Sequence, residues 1–242
     1  MDAEEFLKRY MDAERNFVGI DLSGVDLREA NLVHLNLNQA NLSYADLREV
    51  RLGQSNLAQA NLSYANLSEG IFWGADLTEA NLFLAQLREA DFTGAILSKT
   101  NLSESRLIKT CLSGANLRSA NFTNAVLFDA DFRPTANSFT DLQEANFAEA
   151  ELSYVNFSGA FLQRANFTQA KLCRSILSIW HNDHGHQTDL SYANFTGADL
   201  SYADFTGVNL TKANLQKSDL TRTIFTDAIL QGAIMPDGSI HD

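Results

Sequence analysis

Leucine or phenylalanine stands at every fifth residue from Phe17 to Phe132 without a miss, 24 positions in one phase, and a small residue precedes nearly all of them by two places. The unit reads A-(N/D)-(L/F)-x-x, as in Ala40-Asn41-Leu42-Ser43-Tyr44 and Ala115-Asn116-Leu117-Arg118-Ser119, and it returns after each interruption. A fixed short period of this kind is the signature of a repeat architecture. Five residues advance an α-helix by about 500°, so the leucines would spiral around it and leave no core face. On a continuous strand side chains alternate with period two, so an odd spacing throws successive leucines to opposite sides. The pattern is satisfied only if the chain turns a corner in every repeat. The small residue and the leucine then point inward, the Asn or Asp between them points outward, and the last two residues make the turn. The period alone leaves open how many corners close one coil.

Over roughly residues 16–235 the motif resembles the pentapeptide repeat family. That resemblance implies an all-β fold, a right-handed quadrilateral β-helix with four repeats per coil. The 41 centres, continuing from Leu142 to Leu177 and from Leu190 to Leu230, then make about ten coils. At a strand spacing of about 4.8 Å the rod is on the order of 50 Å long. Burying each Leu or Phe is favourable by roughly 2 kcal/mol. Alanine two places before the centre lets two inward side chains share a narrow bore, so the bore is expected to be packed core and not a ligand tunnel.

Three segments depart from the repeat. Residues 1–15, with Phe6, Leu7, Tyr10 and Met11 at helical spacing, predict a short amphipathic helix that caps the first coil and covers its strand edge. Residues 133–140 carry Pro134 and the polar run Thr135-Ala136-Asn137-Ser138, yet Leu142 returns in phase, so one face is expected to have become a loop. Residues 178–188 shift the phase by three, because Leu190 stands 13 positions after Leu177, and must bulge outward. This second loop holds Trp180, His181, Asp183, His184 and His186. Imidazoles with a carboxylate are zinc-ligand types, but the spacing matches no metal signature and a loop orients such ligands poorly. No metal, cofactor or catalytic residue is assigned. The motifs of phosphate-cradling loops, zinc proteases and nucleophile elbows do not occur. The repeats, 16–235, read as one elongated domain, followed by a C-terminal tail, 236–242, that closes the rod.

Composition narrows the setting. Cys111 and Cys173 lack CxxC pairing and suggest free thiols in a reducing compartment. No apolar run approaches a membrane span and no signal peptide is visible, so a soluble cytoplasmic protein is expected, with no membrane partner. Asn-x-Ser/Thr sequons such as Asn41-Leu42-Ser43 arise from the repeat itself. A formal net charge of −12 argues against direct nucleic-acid binding, which needs basic surface.

With four repeats per coil, counting in twenties maps the exterior. Glu29, Glu49, Glu69 and Glu89 form a column expected to run on through Lys109, Asp129 and Glu149, with Arg28, Arg48 and Arg88 beside it. Apolar residues at outward positions are more informative, because the fold does not demand them. On this map Arg51, Ile71, Trp73, Arg106, Ile108, Cys111, Val126 and Phe128 lie along one corner between two neighbouring faces, a candidate protein-binding patch with Trp180 as a further candidate.

The layout of N-terminal helix, two loops and the ending Gly232-Ala233-Ile234-Met235-Pro236-Asp237-Gly238 is similar to that of pentapeptide repeat proteins that regulate heterocyst differentiation in cyanobacteria. The resemblance implies a non-enzymatic, monomeric scaffold for a regulatory protein partner in a filamentous cyanobacterium. The alternative within the family is a DNA mimic that binds and protects DNA gyrase or topoisomerase. Those proteins are dimers joined through a C-terminal module with a helix, and no helical sequence follows Pro236 here.

Overall fold

The computed structural model describes residues 1–179 and 186–242. The outward Asn or Asp of each repeat pairs in parallel with the residue twenty positions on, as in Asn16↔Asn36, Asp21↔Asn41, Asp26↔Asp46 and Asn31↔Arg51. A register of twenty over a period of five gives four faces, and the chain is a right-handed quadrilateral β-helix. We number the faces one to four from their first members Asn16, Asp21, Asp26 and Asn31. The first corner follows the first face, and so on to the fourth corner, which leads back to the first face.

The repeat consensus follows from local chemistry. At most corners the amide two before one centre donates to the carbonyl of the preceding centre, as in Ala40 N–H to Leu37 O at 3.0 Å. The residue before that amide takes a left-handed backbone, φ 59° at Gln39 and 60° at Tyr44. The Asn or Asp ahead of the centre starts this turn, because its side-chain oxygen accepts from the backbone two residues on, as Asn41 does from Ser43 at 3.2 Å. Asparagines of neighbouring coils also join side chain to side chain on the second face, with Asn101 donating to Asn81 at 3.0 Å and Asn166 to Asn146 at 2.9 Å.

Leucines, phenylalanines and the alanines two before them fill the bore, buried almost without exception. Phenylalanines stack coil on coil along the second face: Phe122, Phe147, Phe167 and Phe195 follow one another at 4.7, 5.0 and 4.8 Å, the spacing of paired strands. Where Ser or Thr replaces alanine, its hydroxyl bonds a carbonyl in the wall, as Thr100 does to Leu77 O and Thr110 to Leu87 O, both at 2.8 Å.

The loops change the register, which corrects the counting in twenties. Residues 133–140 add five residues at the fourth corner, and pairs across them run at twenty-five, from Asn116↔Asp141 to Asp131↔Asn156. No face is lost: the surplus five residues are extruded and pairing resumes at twenty with Asp141↔Phe161. The second loop adds eight at the same corner, giving Phe161↔Asp189 through Ile176↔Asp204. Glu149 therefore leaves the Glu29 column for the second corner, and Tyr154 follows Asp129 in its place.

The helix α1, Ala3–Met11, is capped by Asp2, whose carboxylate accepts from Glu5 N–H at 2.9 Å. Phe6 is buried and meets Phe17 edge-on at 4.8 Å, so α1 closes the N-terminal end. Met11 is 84% exposed and does not contribute to that seal. At the other end the tail folds back through Ile234↔Ile240, while Leu220, Phe225 and Leu230 in the last coil are only partly buried.

Candidate protein-binding surface

Both residues of each turn project away from the bore, so the four corners are where the sequence is free to vary without disturbing the core. The patch expected along one corner divides into two groups across the fourth face. Arg106 and Val126 are paired neighbours on the third face, and Ile108 and Phe128 follow them at the third corner, where Lys109 N–H donates to Phe128 O at 3.0 Å. Cys111, with its thiol 3.3 Å from the Thr93 hydroxyl, lies just beyond on the fourth face. Arg51 and Ile71 are paired on that same face but nearer the N-terminus, separated from Cys111 by Asp91. Trp73 belongs to the fourth corner, on the far edge of the face from Phe128, because it follows the centre Phe72 and not a third-face centre. It is 44% exposed and lies over Gly53, where a Cβ atom would come within 2.6 Å of the indole nitrogen. Trp180, His181, Asp183 and His184 lie outside the described residues.

The fourth corner also carries both loops, two coils apart. Each is pinned at its base by a threonine two residues before the next centre. The Thr140 hydroxyl accepts from Gly114 N–H at 2.8 Å and donates to Arg133 O at 3.0 Å. Thr188 repeats the arrangement, accepting from Gly159 N–H at 2.7 Å and donating to Ser178 O at 2.9 Å. Phe139 of the first loop reaches the second, its ring 4.3 Å from His186 and 5.2 Å from Phe161. His186 is thus in contact with an aromatic ring, and among the described residues no cluster of three His, Cys, Asp or Glu is arranged to hold a metal.

Sequence reasoning missed two aromatic clusters. Tyr44 and Tyr64 stack at 4.7 Å on the second corner, with Phe83 edge-on to Tyr64 at 5.7 Å. On the third corner Phe128 packs against Tyr154 at 5.2 Å, and Arg174, Tyr202 and Arg222 continue the column. The missed tyrosines occupy the left-handed turn position and not the outward strand position. The signal was present as Tyr154, Arg174, Tyr202 and Arg222 at intervals of 20, 28 and 20 once the second loop is counted.

Near the N-terminus the third-corner arginines are neutralised locally. Arg28 binds Asp26 at 2.6 Å, Arg48 binds Asp46 at 2.6 Å and Arg88 binds Glu89 at 2.8 Å. The hydrogen bonds from Arg28 pull the Asp26 carboxyl down to about 2, and Arg48 and Arg88 likewise hold Asp46 and Glu89 below the ordinary carboxylate range. A shallow cavity of about 310 Å³ on the first corner is lined by Arg118, Glu144, Arg164 and Tyr192. No helix among the described residues is long and apolar enough to cross a membrane.

Comparison with known proteins places this geometry. The family model of pentapeptide repeats matches residues 20–59, 55–82, 85–124, 112–133, 138–178, 188–227 and 203–236. The chain is similar to HetL, a pentapeptide repeat protein involved in heterocyst differentiation regulation from the cyanobacterium Nostoc sp. strain PCC 7120. It is 50% identical to HetL over 100% of both chains, with a TM-score of 0.86. The pentapeptide repeat protein Rfr23 from the cyanobacterium Cyanothece 51142 is 28% identical over 57% of this chain and 99% of its own, at a TM-score of 0.40. QnrB1, a plasmid-mediated fluoroquinolone resistance protein, is 18% identical over 84% and 91% of the two chains, at 0.35. No curated protein sequence matches the chain.

Proposed function

The chain belongs to the pentapeptide repeat family, and from that footing we propose that it is a non-enzymatic scaffold that binds a regulatory protein and promotes heterocyst differentiation in a filamentous cyanobacterium. The observation that supports this reading is the whole-length similarity to HetL at 50% identity. The exterior is consistent with it. The bore is filled by leucine, phenylalanine and alanine, so chemistry with a partner falls to the corners, where large apolar side chains are exposed at Trp73, Phe128, Tyr154 and Tyr202. Isolated exposed apolar residues are ordinary, but columns of aromatics and arginine match the composition of interface hot spots.

Raising the level of this protein in a heterocyst-forming cyanobacterium tests the reading. The fraction of heterocysts along the filament is expected to rise; an unchanged pattern in cells shown to contain the folded protein would overturn it. The gyrase-protecting alternative makes a separate demand, relief of fluoroquinolone inhibition in a supercoiling assay, and we expect none.

A further inference from the structure

The third corner carries two kinds of arginine. In the N-terminal coils Arg28, Arg48 and Arg88 each meet a carboxylate at 2.6 to 2.8 Å. Toward the C-terminal end Arg174 and Arg222 make no ion pair among the described residues and stand against tyrosines instead. Arg174 lies 5.8 Å from the Tyr154 ring and 5.5 Å from that of Tyr202, and donates to the Tyr154 hydroxyl at 2.9 Å. Arg222 lies 5.5 Å from the other side of Tyr202. With Phe128 against Tyr154, these side chains form one continuous exposed ribbon, in which Phe128 is 40% and both tyrosines are 43% exposed.

Two unneutralised guanidinium groups are a local exception on a rod of net charge −12. Resting on rings, they are already ordered, which lowers the entropy lost when an anion binds. The anion is not a nucleic acid: Asp129, Glu151, Asp199, Asp204 and Asp219 occupy the flanking faces and corner, and a polyphosphate needs a basic run. A short segment with a few spaced carboxylates avoids that repulsion. Arg174 and Arg222 are two coils apart, about 10 Å. An extended polyproline-type segment presents the same side every three residues, about 9 Å on.

We propose that this ribbon docks an extended acidic segment of a protein partner, with carboxylates three residues apart on Arg174 and Arg222 and its intervening apolar side chains, such as proline rings, along Tyr202, Tyr154 and Phe128. The proposal rests on the scaffold reading above but has its own readout, independent of heterocyst counts. Fluorescently labelled peptides of Pro-Pro-Glu and of Pro-Pro-Gln repeats, and a single-stranded oligodeoxynucleotide, are titrated against the full chain by anisotropy. The glutamate peptide is expected to bind and to weaken by about tenfold or more in high salt and in the Arg174→Gln/Arg222→Gln variant, because salt screens exposed charges and the variant removes two charge-assisted contacts together. The glutamine peptide is expected not to bind, and an Arg28→Gln/Arg48→Gln variant, altered at the same corner at paired arginines, is expected to bind as the parent does. Circular dichroism confirms that each variant is folded. Equal binding of the two peptides, full binding by Arg174→Gln/Arg222→Gln, or tighter binding of the oligonucleotide would overturn the proposal. Absence of peptide binding alongside an intact effect on heterocysts would remove this site and leave the scaffold reading standing.

Discussion

The fold is set by what single residues do at a corner. An outward Asn or Asp bonds the amide two residues on, and the turn that follows needs a left-handed residue. Most of these positions are not glycine: Glu104, Lys109 and Asn124 all sit at φ 57°. For an L-residue that conformation costs about 1–2 kcal/mol, so the stacked coils must over-determine it. Gly94 and Gly207 separate this backbone cost from a packing cost. Gly94, at φ 63°, has nothing within 4 Å of where a Cβ would be, whereas at Gly207, φ 68°, the Cβ would lie 2.2 Å from Ile179. Gly94→Ala should destabilise by about 1 kcal/mol, because the unfolded chain also loses freedom, and Gly207→Ala by clearly more. Equal shifts in denaturant midpoint for the two variants would contradict this account. The inward and outward assignment was legible from the sequence, since period five admits no other arrangement. The use of Asn or Asp as turn starter was not, because it depends on a hydrogen bond that spacing does not reveal.

At the scale of elements, the loops decide which columns exist. The leucine phase survives residues 133–140 unchanged, so the sequence shows that something interrupts but not that pairing jumps to twenty-five. Counting in twenties therefore puts Glu149 in a column it does not occupy and hides the ribbon ending in Arg222. Trp73 lies before both loops, and its place follows from the repeat alone: a turn residue belongs to the corner after its own centre, and Phe72 is on the fourth face while Leu127 before Phe128 is on the third. Because the first loop is five surplus residues, excising 134–138 leaves Arg133-Phe139-Thr140-Asp141-Leu142, a regular repeat that restores a register of twenty. This variant should keep the parent's circular dichroism spectrum and melt within a few degrees of it, a ΔΔG of order 1 kcal/mol. Loss of β structure would show that the loop is required to build the coils that follow.

For the whole molecule, acid should act in one direction. Asp26 is held at about 2 by Arg28, and Asp21, Asp46, Glu79, Glu89, Asp219 and Asp237 are also held below the ordinary carboxylate range by hydrogen bonds from neighbouring side chains and amides. Folded-state values below the unfolded ones give stability that is fully present above about pH 4 and lost as pH falls toward about 2. The melting temperature should therefore stay level from neutral pH to about 5 and fall below about 4; a rise on acidification would contradict these ion pairs. The proposed scaffold role rests on the rod's exterior, since the same packed bore serves any function. The most direct measurement of that claim compares heterocyst frequency in filaments producing the parent chain and a variant carrying Trp73→Ser, Phe128→Ser, Tyr154→Ser and Tyr202→Ser. Stripped of these corner side chains, the variant should melt like the parent, within a few degrees, and lose the effect on differentiation. A full effect from a stripped, folded rod would contradict the assignment of recognition to the corners.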